Sequence, residues 1–187
     1  MHDKIASGQC GLGFHGSARK IDHFSRTKVG QGADPNSALG LFMSHVPLNA
    51  LEYAESAVEA GEGEVAYVYV VAFPTQGKKL DLSSDDFFGI DSEGHYQTRE
   101  HFIAMRTRLL AQGYDHLECE TGEDAISVAM HPDRCSIIAV LNHSHVESIE
   151  SSGVDCLDFV ALSDYLKSLN LSPIRHKTNE VESLERS

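Results

Sequence analysis

His15 lies in GLGFHGS, residues 11–17, where an apolar run meets a Gly-Ser pair. An imidazole at such a strand end can be a satisfied core side chain, a metal ligand, or the first contact for something flat and polar. Four carboxylates, Glu118, Glu120, Glu123 and Asp124, crowd one short stretch, and strand alternation puts Glu118 and Glu120 on one face. A carboxylate so placed can act as a general base, or it can belong to a solvated acidic turn. Arg19, Lys20, Arg26 and Lys28 follow His15 in an otherwise acidic chain and could meet phosphate oxygens. His143-x-His145 would set two imidazoles on one strand face, but no cysteine or further histidine has zinc spacing, so no metal site is expected. Cys10, Cys119, Cys135 and Cys156 are scattered, without C-x-x-C, and read as reduced thiols in a cytosol-like compartment.

These groups need elements to position them. Residues 10–16 read as a short strand, 17–37 as a polar connection, and 38–44 as a second strand. A helix follows from Pro47 at its first position to about Ala60, with Ser44 or His45 as cap and Ala50, Tyr53, Ala54 and Ala57 at helical spacing. EVAYVYVVAFP, 64–74, is apolar on both faces and must lie inside a sheet, with Val65 on the same face as Tyr67 and Tyr69. Residues 77–95 read as a loop and 96–113 as a helix ending at Gly113. Three short strands (YDHLECE, AISVAMHP, CSIIAVL) and a last amphipathic helix (CLDFVALSDYLKSL) complete the pattern. Short strands with few helices and no strand-helix rhythm give an α+β fold, expected as one domain over 1–169 with a polar, flexible tail over 170–187.

The 187 residues are 41% hydrophobic, enough for one core. A net charge of −13 argues against a nucleic-acid surface and an anionic membrane. No apolar run approaches the ~20 residues that span a bilayer, and no secretory signal is visible. The expectation is a monomer that is cytoplasmic, or delivered into a host cell by a specialised secretion machine.

The His-Gly-Ser turn (15–17), the strand Gly40-Leu41-Phe42-Met43 and the helix bearing Tyr53 occur in an order that resembles the ADP-ribosyltransferase superfamily, in the class of diphtheria toxin and the poly(ADP-ribose) polymerases. EVAYVYVVAF, GYDHLE and ISVAMHPDRCSII also look like its bacterial and phage branches, so the resemblance spans about residues 10–141. It implies a split β-sheet core with flanking helices around an NAD+-binding cleft. His15 would hydrogen-bond a ribose hydroxyl, the Gly16 backbone would grip the nicotinamide amide, and Ser17 would help. Phe42 and Tyr53 would stack on the nicotinamide ring, with Ala50 where a hydroxyl-bearing residue often helps, and Arg19 would meet the diphosphate. The family's glutamate position falls on Ile126, so the carboxylate would come from Glu123, Glu120 or Asp124, or be absent. That departure implies transfer of a single ADP-ribose unit to a protein acceptor, with a host protein such as ubiquitin as one candidate. NAD+ hydrolysis, or an inactive NAD+-binding module of the same fold, are the alternatives.

Overall fold

The computed structural model describes residues 10–122 and 124–171. Seven strands form one sheet in the order β4-β5-β6-β2-β1-β3-β7: β1 Cys10–Ser17, β2 Leu41–Ser44, β3 Tyr67–Pro74, β4 Lys78–Asp81, β5 Tyr114–Glu120, β6 Ala125–Ala129 and β7 Ser136–Leu141. Helices α1 Pro47–Glu59, α2 Ser84–Phe88, α3 Arg99–Ala111, α4 His143–Ser152 and α5 Phe159–Ser168 pack against it, so the fold is α+β.

The sheet is nearly two sheets. β1 pairs with β3 along its whole length, Cys10↔Pro74 to Ser17↔Tyr67, and β2 pairs with β6 from Leu41↔Ala129 to Ser44↔Ile126. Between β1 and β2 the ladder is the single pair Phe14↔Ser44. Each half has its own helices. Phe14, Leu51, Val70, Val146 and Leu162 join β1, β3 and β7 to α1, α4 and α5. Phe87, Phe102, Leu117 and Val128 join β5 and β6 to α2 and α3. A third cluster, with Phe24, Met43, Tyr69 and Val71, lies under the segment joining β1 to β2.

β3 runs between β1 and β7, and its residues 68–73 are all buried, as a strand apolar on both faces requires. It starts at Tyr67, however, and Val65 is exposed, since the chain is still leaving α1. α1 starts at Pro47 as expected but is capped by neither Ser44 nor His45; Val46 is its N-cap, and the Ser44 hydroxyl accepts the Val46 N–H at 2.9 Å. Residues 77–95 are not a plain loop. They hold β4, whose KKLD sequence hides a charged edge strand parallel to β5, and α2, capped by Ser83 and anchored by buried Phe87. The stretch with His143 and His145 is helix rather than strand: Asn142 and His145 form a reciprocal capping box that starts α4. At the far end, Leu171 still packs on the α1-α4-α5 core; residues 172–187 of the expected tail lie outside the described residues.

Candidate active site

Where β1 and β2 part, a cleft of about 840 Å³ opens, roofed by the 18–37 segment and flanked by α1 and the start of β6. That volume lies in the ~300–1,000 Å³ range of pockets for small organic ligands. His15, Gly16, Ser17, Arg19, Phe42 and Tyr53 all line it.

His15 stands one residue past the last β1–β2 pair, and its side chain continues the connection: Nδ1 lies 2.9 Å from the Phe42 carbonyl oxygen. A carbonyl only accepts, so Nδ1 carries the proton and donates. Burial lowers the His15 pKa, with the Phe42 bond opposing in part, so the ring is neutral near pH 7. Nε2 is then an acceptor in the cleft wall with no hydrogen-bond partner among the described residues. Phe24 meets the ring edge-on at 5.6 Å and Tyr69 lies at 6.4 Å, which fixes its plane.

Gly16 is required by packing. A Cβ there would sit 1.9 Å from the Ala50 carbonyl oxygen, so only glycine lets α1 lie this close to β1. That approach brings Tyr53, one turn along α1 from Ala50, to the cleft, where the residue is 55% exposed. Phe42 is half-buried, its ring centroid 5.3 Å from that of Phe87. The Ser17 hydroxyl accepts the Arg19 N–H at 3.1 Å, and Arg19 Nε donates to the Glu62 carbonyl at 2.9 Å. Lys20 and Lys28 also line the cleft, whereas Arg26 is paired with Asp133 at 2.5 Å.

The carboxylates separate clearly. Asp124 lines the cleft: Oδ1 accepts the His45 N–H at 3.1 Å and Oδ2 lies 2.7 Å from the Ser44 hydroxyl. The same hydroxyl lies 2.7 Å from the Val46 carbonyl, so two acceptors compete for one proton. Ile126, opposite Ser44 in the ladder, also lines the cleft. Glu120, exposed at the end of β5, is not among the lining residues, and Glu118 points to Lys79 at 2.6 Å on the edge strand. Glu123 lies outside the described residues. His143 is engaged elsewhere, by Glu55 at 3.0 Å and Glu147 at 3.3 Å.

Three contributors carry no clear signal in the sequence. Ser44, which its place before Pro47 makes a cap candidate, is the partner of Asp124. Tyr69 was read as strand face, although a tyrosine in an aliphatic strand needs a partner for its hydroxyl. Arg99 donates to the Gly30, Gly32 and Ala33 carbonyls and to Ser37 Oγ, tying the cleft roof to α3; no local pattern marks it.

No family model matches the chain, and no curated protein matches it. Among solved structures, an anti-CRISPR protein aligns with 70% of this chain and 96% of its own at 16% identity and a TM-score of 0.40. A chain of the M. tuberculosis MbcT–MbcA toxin–antitoxin complex aligns with 79% of this chain and 96% of its own at 8% identity and a TM-score of 0.44.

Proposed function

We propose that the cleft binds NAD+ and that the chain transfers one ADP-ribose unit to a protein acceptor. The observation that carries this reading is the convergence, where β1 and β2 part, of a neutral imidazole whose Nε2 has no hydrogen-bond partner among the described residues, two aromatic rings and a held carboxylate. The donor set fits the molecule: Nε2 of His15 can accept from a ribose hydroxyl, and Phe42 and Tyr53 offer faces to a planar ring. Arg19, Lys20 and Lys28 supply the cationic side that a diphosphate needs. Bound NAD+ supplies the ADP-ribosyl group, as nicotinamide leaves with the electron pair of its bond to ribose.

The chain's residues orient and stabilise. His15 holds the ribose, and the rings hold nicotinamide while the bond weakens. Asp124 presents its carboxylate to the positive charge that grows on the ribose, and it can take the proton that the acceptor gives up as it bonds to the ribose carbon. The Ser44 hydroxyl and His45 N–H fix that carboxylate in place. With Ile126 in the cleft wall and a short acid in place of a glutamate, the reaction stops after one unit. The same arrangement with water as acceptor would hydrolyse NAD+.

The test is incubation with labelled NAD+ and a cell lysate, reading nicotinamide release and label on protein together. His15→Ala, Asp124→Asn, Glu123→Gln and Glu120→Gln are run beside the parent. A labelled band that His15→Ala and Asp124→Asn both lose supports the reading. Release of ADP-ribose without a band makes the protein an NAD+ hydrolase. Binding without turnover makes it an inactive module, and no binding ends the proposal.

A further inference from the structure

Tyr69 sits in the middle of β3, fully buried, opposite His15 in the β1–β3 ladder. Apart from the His15 and Tyr67 rings, its neighbours on that face are apolar: Val71 and Phe73 along the strand, with Phe24 and Met43 packed over them. A phenylalanine would fill the same space. The hydroxyl must therefore account for itself, and both of its capacities are used on one short turn. It accepts the Ile21 N–H at 2.7 Å and faces the Arg19 carbonyl, to which it donates, at 3.3 Å.

That turn starts two residues after Ser17, at the point where the chain leaves the sheet to roof the cleft. Nothing in the sheet ladder holds it there, because β1 ends at Ser17. Further along the same segment, Phe24 closes a triangle of rings with His15 and Tyr69, its centroid 5.6 Å from the first and 6.4 Å from the second. The phenol thus binds backbone on the roof while its ring abuts the imidazole.

We propose that Tyr69 is a positioning residue of the cleft: its hydroxyl fixes the Arg19–Ile21 turn and thereby sets both the orientation of the His15 ring and the station of the Arg19 guanidinium. The part of this inference that concerns NAD+ rests on the proposed function; the part that concerns His15 does not. Without the hydroxyl, the Arg19 carbonyl and Ile21 N–H lose their partners, and the turn is free to swing out and take new ones from water. Phe24 then no longer backs the imidazole, and Arg19 keeps only its bonds to the Ser17 hydroxyl and the Glu62 carbonyl, which do not fix its own carbonyl.

The test is Tyr69→Phe, which keeps the ring, with Tyr67→Phe as control, since the Tyr67 ring lies 6.2 Å from that of Tyr69 on the same strand. In the NAD-free protein, nitrogen NMR reads the His15 ring signals and hydrogen exchange reads the Ile21 amide. NAD+ titration and turnover at saturation are read on the same samples. Tyr69→Phe should speed Ile21 exchange and shift the His15 ring signals. It should weaken NAD+ binding about tenfold, the scale of a lost hydrogen bond or two, with turnover at saturation little changed. Tyr67→Phe should change none of these. If the parent binds NAD+ and Tyr69→Phe binds it equally well, the positioning role is wrong. If the parent itself binds no NAD+, the functional reading fails, and unchanged His15 and Ile21 signals in Tyr69→Phe would then overturn this inference as well.

Discussion

The cleft owes its chemistry to a few side chains whose hydrogen-bond capacity is already assigned. His15 spends Nδ1–H on Phe42 and keeps Nε2, and Asp124 is held by a hydroxyl on one oxygen and a backbone N–H on the other. In the proposed reaction a carboxylate fixed in this way acts mainly through its charge in the transition state, so its loss should fall on turnover rather than binding. Asp124→Asn keeps the shape and removes the charge. It should lower nicotinamide release about a hundredfold or more while NAD+ affinity stays close to the parent's, checked by single-turnover assay beside titration calorimetry. Of the four carboxylates in the acidic stretch, the sequence alone does not single out Asp124, and the reason is physical. Residue types show how many acids are near, but only the β2–β6 register shows which one meets Ser44.

At the scale of elements, the cleft exists because α1 lies on β1 without a side chain between them. Gly16→Ala would push a methyl into the Ala50 carbonyl, and overpacking of this kind costs about 1–3 kcal/mol. The expected result is a lower thermal midpoint together with loss of ligand binding, because Tyr53 moves with the helix. The roof depends on Arg99 in the same way. Arg99→Ala should release residues 30–37 and cost about 2 kcal/mol, within the range for hydrogen bonds from a charged donor, seen as faster amide exchange confined to that segment. Strong patterns made most elements readable: β3 from its unbroken apolar run, α3 and α5 from their periodicity, and β5 to β7 from their turns. β4 and α2 were missed because edge strands and five-residue helices carry charge where pattern reading expects a loop. The whole of α4 is hidden in the sequence, because the His143-x-His145 spacing suggests a strand face, whereas His145 serves as the cap of a helix. The contacts of Arg99 cross more than sixty residues of sequence, and no local signal encodes them.

For the whole molecule, four histidines predict how stability follows pH. Burial lowers the pKa of His15, of His116 and of His131, with the neighbouring Arg134 adding to the effect at His131. Each should therefore stay neutral in the folded state below the ordinary value of 6.5. As pH falls, the unfolded chain takes up these protons first, so stability rises with pH across this window. The three contributions are fully present above the unfolded pKa and are lost as pH falls through the folded values. His143 works in the opposite sense: hydrogen bonds to Glu55 and then Glu147 raise its pKa, so its contribution is present at low pH and fades as pH rises. It is exposed and screened by solvent, so the three whose pKa is lowered decide the sign. The urea midpoint should be lower at about pH 5.5 than at about pH 7.5, beyond the loss that the carboxylates alone produce. His116 isolates one share of this effect. It is 4% exposed, its Nε2 has no hydrogen-bond partner among the described residues, and Glu118 at 3.3 Å does not outweigh its burial. His116→Leu should flatten the pH dependence of the midpoint between those two values while leaving the cleft, which His116 does not line, able to bind. An unchanged slope in that variant would show that the imidazole is solvated or paired in solution, and the acid sensitivity would then belong to His15 and His131.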